Sequence, residues 1–504
     1  MAPKRPRTRS AARLAAPSTS AAPPPPPRPS SVSDESDGDE YLPKEEGRRM
    51  RSNDDDDSGS DDFADSDDSS DESLSEASRE RRFEWRREEN VPKQFRFSGH
   101  PGVNCDRLHR ESSPFKAYSC FITSEVMDLL VKETNRCHRQ RPTSSSSSHV
   151  KRWHDVSREE MHTYFGLRLL MGLQPRSDMR TYWSLDPITS HPVFPKTMSR
   201  DRFLQLSQFL HAGDSSATSP DDDGLWRLRP LIEALNRQFS SVYTPPGRVT
   251  VDKFLLNFRK HSCSDVSVRG VPIRLKIEAY RLCVSDEATA GYTCAFSIYA
   301  GRGRRDFPKS TKAIIDLMSA ADLFGKGYVL YTDDRFTSPA LVHLLQIRNT
   351  NAVGLVRPSR KHMPTDLDTR VRGDVDFRST PTGMLCLQWF NQNPVTVLST
   401  MHTSELVTER TRFGLERTKP RAVSEHHAAV RGARQLAQSF PDAREAMWYK
   451  KVIFDLHNMA VVNAYCVHKA VGGNLTFLEF KRMLIRKLIM KSVSKRTDVS
   501  PFDP

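Results

Sequence analysis

Three aspartates stand where a chain could hold hard cations. Asp252 lies inside the β-rich run RVTVDKFLLNF, and Asp333 and Asp334 directly follow the run KGYVLYT. A charge inside an apolar strand is costly unless it sits exposed at a strand end or is paired. One acid within a strand and another at the end of a second strand can meet across a sheet. Carboxylates placed in that way hold two metals about 3.5–4 Å apart, which activate water and stabilise the leaving oxygen in phosphodiester cleavage. Aspartates that cap a turn or face solvent meet the same spacing, and spacing alone does not separate the two. His426 and His427 beside Glu425 are less suited to an ion, since neighbouring helical residues point about 100° apart. A surface position is expected for both.

The elements that must carry these acids can be read from periodicity. RLKIEAYRLCVS and GYTCAFSIYA are further β-rich runs, SAADLFG closes a helical stretch, and a helix from about Pro339 to Arg348 precedes the strand AVGLVR. Strands that lead to a helix and then to another strand suggest a mixed sheet covered by helices. DVDFRS, MLCLQWF and VTVLST read as a β insertion apart from that sheet. Residues 115–243 are helical in pattern, with N-cap serines expected at the start of SEVMDLLVKETNR, at Ser157 with Glu160 at capping-box distance, and at Ser199. Helical periodicity returns at Ser424–Gln438, in MWYKKVIFDLHNMAVVNAYCVH and in LTFLEFKRMLIRKLIM.

Composition divides the 504 residues in two. Residues 1–97 hold 17 Lys/Arg and 23 Asp/Glu, a charge of −6, which leaves the rest of the chain at +19. The tail has a basic start with Lys4, Arg5, Arg7 and Arg9, a proline run at Pro23–Pro27 and an Asp/Ser tract. Such composition cannot bury enough apolar surface to fold. The basic start reads as a nuclear-import cluster or a phosphate-touching arm, and the acidic tract as a spacer or a contact for chromatin proteins. The basic body suits a polyanion. The eight cysteines are scattered, so neither a zinc module nor a disulfide framework is implied, and no apolar run is long enough to span a bilayer. No membrane partner is expected.

Longer words then narrow the reading. MRTYWSLDPITSHPVFPKTMSRDRFLQLSQFLH, VDKFLLNFRKH, YTDDRFTSPALV, GLVRPSRKHMP and WYKKVIFDLHNMAVVNAYCVHK with LTFLEFKRMLI closely resemble the piggyBac-type transposases and the host proteins derived from them, over about residues 95–490. The resemblance implies an α/β fold: a ribonuclease-H-like catalytic domain with an all-β insertion, embedded in a helical dimerisation and DNA-binding domain. The implied division is a disordered tail at 1–96, helical residues at 97–247, the ribonuclease-H-like domain at 248–360 with its return at 419–442, the insertion at 361–418, helices at 443–495 and a tail at 496–504. The implied activity is cut-and-paste transposition at TTAA with two Mg²⁺ or Mn²⁺ ions held by three aspartates. The implied partners are DNA and a second copy of the chain, and the implied location is the nucleus.

Carried over by register, the first two acids fall on Asp252 and Asp333. The third falls on Arg434 in KPRAVSEHHAAVRGARQLAQ, the family's next acid is Ala437, and Lys253 replaces the Glu that usually follows the first aspartate. A guanidinium cannot ligate Mg²⁺, so a DNA-binding protein with an impaired cleavage site is expected. The alternatives are an active transposase using a displaced carboxylate, such as Glu425, Asp442 or Glu445, and a chromatin scaffold. The family's cysteine-rich zinc domain has no counterpart after Cys466, so no zinc is expected. Trp448 is a candidate to stack on DNA or to pack in the core. Lys450, Lys451, Arg357, Arg360 and Lys361 are candidate phosphate contacts.

Overall fold

The β-rich runs around the candidate acids are strands of one eight-stranded sheet. The computed structural model describes residues 83–89, 91–140, 153–176, 178–186, 188, 190–214, 225–254, 266–268, 271–273, 277–286, 288–300, 309–410, 414, 416–437 and 448–493. The basic cluster and acidic tract of the tail, the serine run at 144–148, Asp442, Glu445 and the tail at 496–504 lie outside them.

The strands are β1 (Arg248–Lys253), β2 (Ile277–Val284), β3 (Thr293–Ala300), β4 (Val329–Thr332), β5 (Asn351–Leu355), β6 (Val375–Ser379), β7 (Leu385–Phe390) and β8 (Pro394–Ser399). They lie in the order β6-β7-β8-β5-β4-β1-β2-β3. β1, β4 and β5 run parallel, and every other neighbouring pair is antiparallel. The residues from DVDFRS to VTVLST do form strands, but they do not stand apart. β8 pairs with β5, Val397 opposite Leu355, so the insertion lengthens the first sheet. The open edge of β5 and the tight β7–β8 turn let a hairpin add to it by backbone hydrogen bonds alone.

Eleven helices are described: α1 (Pro114–Tyr118), α2 (Ser124–Arg139), α3 (Arg158–Leu173), α4 (Val193–Thr197), α5 (Arg200–Phe209), α6 (Arg229–Val242), α7 (Lys309–Ala320), α8 (Pro339–Ile347), α9 (Arg421–Ala437), α10 (Trp448–Ala470) and α11 (Phe477–Val493). Ser157 and Ser199 cap α3 and α5 by accepting from Glu160 N and Arg202 N. The cap of α2 is Thr123, one residue before the expected serine. α8 is the crossover that a parallel β4–β5 step needs. α11 lies against α3 at Gly166, where an added Cβ would come within 3.0 Å of Leu488 Cβ. The glycine lets the two helices approach.

Both faces of the sheet are covered. Val249, Val251, Leu282 and Leu330 join the large core shared with the helices, whereas Val329, Tyr331, Val353, Leu387 and Val397 pack with Ala422, Val423 and Ala429 of α9 on the other face. The β3 edge is met by two helical amides. Asn236 of α6 bonds both backbone groups of Phe296, and Asn463 of α10 does the same for Thr293, all at 2.8–2.9 Å.

Described residues between 83 and 96, expected in the tail, lie against the body instead. Trp85 Nε1 donates to His362 O at 2.8 Å, Phe83 stacks on the His362 ring, and Phe95 exchanges two hydrogen bonds with Asn351. Arg86 pairs with Ser379 on the edge strand β6, with both backbone bonds at 2.9 Å. The aromatic residues Phe83, Trp85 and Phe95 in this charged stretch supply apolar surface to bury against the body.

Candidate active site

The pairing of β1 with β4 brings the two aspartates to one place. Val249 lies opposite Leu330 and Thr250 opposite Tyr331 in parallel register, so Asp252, near the end of β1, and Asp333, just past the end of β4, stand at the same edge of the sheet. Thr250 Oγ1 ties the strands further by donating to Tyr331 O at 3.1 Å. Alternation along β1 turns Asp252 away from Val249 and Val251, toward the face that α9 covers.

Asp252 is already held by a cation. Arg281 stands opposite it on β2, and Arg281 Nη2 donates to Asp252 Oδ2 at 2.8 Å. The side chains are only 10% and 16% exposed. Burial opposes the Arg281 cation, but neighbouring Cys283 and Asp252 outweigh it and raise the guanidinium pKa. The two side chains form a largely buried ion pair. Next to it, Lys253 reaches Glu278 at 3.5 Å.

Asp333 opens the loop after β4. Its Oδ1 accepts from Arg335 N at 3.1 Å, and its carbonyl accepts from Thr337 N and Oγ1. Thr332 and Thr337 share a hydroxyl hydrogen bond at 2.8 Å, packed against Gly354, where any Cβ would collide with both threonines. The loop is thus clamped from β5. Asp334 points elsewhere and accepts from Arg357 Nε at 2.9 Å.

α9 closes the other side of the site. His426, expected at the surface, is fully buried and donates from Nε2 to Thr332 O at 2.8 Å, directly before Asp333. The apolar residues beside it on α9 carry that face inward, and the histidine goes with them. One residue earlier, Glu425 Oε2 lies 3.3 Å from His402 Nε2 and 3.8 Å from Arg248 Nη2. His402 Nδ1 shares a hydrogen bond with Ser399 Oγ, 2.8 Å away, at the end of β8. His402 above all, then Arg248 and Arg421, hold the Glu425 carboxyl below its usual range against the opposing effect of burial. Glu425 therefore anchors α9 to the sheet. Arg434 falls on the last turns of α9, and its side chain lies outside the described residues.

The candidate phosphate contacts divide. Arg357 and Lys361 are exposed, Arg357 against Asp334. Arg360 is partly buried and bonds the carbonyls of Asp334 and Arg335 at 3.4 and 2.7 Å, so it clamps that loop. Lys450 does not face solvent as expected. It is 3% exposed and donates to Gln208 O at 3.0 Å, because the first turn of α10 packs against the end of α5. Lys451 is half-buried, and Trp448 is half-buried against the main core.

Sequence reasoning missed Arg281 and His402, and it set His426 at the surface. An Arg in RLKIEAYRLCVS faces Asp252 only once the β1–β2 register is known, and no local pattern marks it. Among the described residues, no three His, Cys, Asp or Glu side chains come together as a metal cage. No described helix is long and apolar enough to cross a membrane.

The family model described as Transposase IS4 matches residues 113–465. Human PiggyBac transposable element-derived protein 2 is 23% identical over 402 residues, covering 75% of this chain and 66% of its own length. Human PiggyBac transposable element-derived protein 5 is 20% identical over 275 residues, covering 53% of this chain and 51% of its own. The chain thus spans between half and two thirds of these relatives. A cryo-EM structure of a piggyBac transposase synaptic complex with hairpin DNA superposes with a TM-score of 0.66 at 21% identity, over 80% of this chain and 85% of that one. The shared architecture is a mixed α/β fold around a large central sheet.

Proposed function

Because the chain belongs to the transposase family whose model, described as Transposase IS4, spans residues 113–465, and is similar to piggyBac-derived proteins, we propose that it is a DNA-binding protein that keeps the transposase fold while its strand-cleavage centre is closed. The observation that carries this reading is the buried Asp252–Arg281 ion pair at 2.8 Å. A pair of divalent ions needs several oxygen ligands around it. Here one of two aligned carboxylates is neutralised by a guanidinium, and the third family position holds Arg434. The residues present do not fit a Mg²⁺ or Mn²⁺ pair, and strand cleavage is not assigned to them.

DNA binding is supported by the +19 charge of the body, by exposed Arg357 and Lys361, and by the DNA in the structural relative's complex. Cations that neutralise phosphates release condensed counterions, which gives affinity without sequence reading. The strand order β3-β2-β1-β4-β5, antiparallel at β2 and β3 and parallel at β4 and β5, supports a ribonuclease-H-like core as the platform. A second copy of the chain, chromatin proteins drawn to the acidic tract and a nuclear location directed by Lys4–Arg9 belong to the same proposal.

One observation favours a second reading, an active transposase: the parallel pairing of β1 with β4 leaves Asp252 and Asp333 at the same ends of neighbouring strands, which is compatible with a shared metal site. Two measurements decide between them. Binding to duplex DNA in a chelator should persist and weaken steeply with salt. Incubation of TTAA-flanked ends with Mg²⁺ or Mn²⁺ should give no nicking. Metal-dependent excision that Asp252→Ala abolishes would overturn the closed-centre reading.

A further inference from the structure

Cys105 and Cys120 bring their sulfurs within 3.4 Å of each other. We propose that these two thiols are an oxidative modification site, closed to a disulfide by peroxides. A disulfide needs the sulfurs at about 2.05 Å, so rotation of the side chains covers most of the distance.

The backbone on both sides is already fixed for it. Cys105 follows Asn104, whose backbone N–H donates to Val242 O at 2.8 Å and whose side-chain amide donates to Ser241 O and Thr244 Oγ1. Cys105 O in turn accepts from Leu108 N at 3.0 Å. Cys120 ends the first helical turn region after α1, its N–H donating to Ala117 O and its thiol to Lys116 O. Closure therefore joins two anchored segments and does not wait on a loose loop.

The two thiols are unequal, which assigns their order. Cys105 is half-buried and open to a small oxidant, whereas Cys120 is 7% exposed. Burial first, and then Cys105 itself, pushes the Cys120 thiol up to about 12, against the opposing charges of Arg107 and Lys116. Cys105 is the sulfur that meets the peroxide. Its thiolate attacks the O–O bond, forming an S–O bond and a sulfenic acid while the other oxygen leaves as water after taking up a proton. The Cys120 sulfur then attacks the Cys105 sulfur, the S–O bond breaks, and the Cys120 proton departs with the hydroxyl as a second water. Two thiols are oxidised and one peroxide is reduced.

The position gives the bond a consequence. Gly102–Val103 pairs with Tyr243–Thr244, directly ahead of β1 and Asp252, while α1 packs against α10 and α11. A Cys105–Cys120 disulfide staples the strap that borders β1 to the helical layer.

The test exposes the full-length protein to hydrogen peroxide, blocks remaining thiols, and maps a non-reduced digest by mass spectrometry. The expected result is a peptide with Cys105 linked to one with Cys120, lost on reduction. In Cys120→Ser, the same treatment should leave a sulfenic acid at Cys105 that dimedone captures. In Cys105→Ser, Cys120 should stay reduced. Linkage of Cys105 to another cysteine or another chain, its overoxidation without linkage, or its resistance to peroxide would each overturn the proposal. If the buried Cys120→Ser change prevents folding, the map of the unmodified chain and the half-exposed Cys105→Ser variant still decide.

Discussion

Arg281 donates to Asp252 across the β1–β2 pair at 2.8 Å, in a place almost closed to water. The strand register makes this contact inevitable, since Asp252 and Arg281 are directly opposed. A buried carboxylate that loses a strong counter-ion pays much of its desolvation cost. Arg281→Met should therefore lower the unfolding free energy by about 3–5 kcal/mol. Asp252→Asn combined with Arg281→Met should recover most of that loss, because no charge is left stranded. Urea denaturation of the two variants checks both outcomes.

Arg434→Asp should strengthen divalent-ion binding relative to the unmodified chain, since it replaces a fixed cation by an oxygen ligand at the third family position. Isothermal titration with Mn²⁺, or a metal-dependent rise in melting temperature, reports it. Mn²⁺ binding by the unmodified protein with equal strength would contradict the assignment.

Lys450 and Lys361 should part company in DNA binding. Lys361→Ala should reduce the slope of log affinity against log salt by about 0.9, the loss of one phosphate contact. Lys450→Met should leave that slope unchanged and lower thermal stability, because its ammonium is spent on Gln208 O. Titrations at several salt concentrations separate the two.

His457 should contribute to acid sensitivity. It is buried beside Tyr118, with Tyr118 Oη 2.9 Å from Nε2, and burial lowers its pKa to about 3, with His162, Lys481 and Arg168 adding to the effect. The unfolded chain takes up a proton near 6.5 while the folded chain refuses it until about 3. Stability is thus fully present above the unfolded value and drains away as pH falls through that window. His457→Leu should shrink the stability difference between pH 7 and pH 4.5 by about 2 kcal/mol, read by denaturation at the two values.

His426→Phe should cost about 1–3 kcal/mol, since the Thr332 carbonyl loses a buried donor. The loss should appear as faster hydrogen exchange at the amides of the Asp333–Thr337 loop.

Much of this architecture is legible in sequence because it is local. The serine caps at Ser157 and Ser199, the apolar strand words and the helices α8 to α11 each depend on neighbours a few residues away. What lay beyond reading is a matter of pairing between distant segments. Arg281 is 29 residues from Asp252, and only the antiparallel register of β1 and β2 joins them. His426 looks polar beside Glu425 and His427, yet Ala422, Val423 and Ala429 set its face inward. Lys450 follows an aromatic pair as a DNA contact would, and the fit of α10 against α5 turns it into a structural donor. The junction of β8 with β5 carries no sequence mark at all, as backbone groups make it.

The Arg86–Ser379 backbone pair has a bearing on the chain's colloidal behaviour. β6 is the last strand of its sheet, and an uncovered last strand offers a row of unmet amides and carbonyls to any other chain. The stretch around Arg86 and Glu88 lies against Ser379 on that side as a partial shield, while Asn236 and Asn463 guard β3 at the far end. A version trimmed to the apparent start of the helical region would lose the shield and keep the exposed border. Such a trimmed body should self-associate through β6, and a few aromatic residues in a charged stretch are what hold it apart.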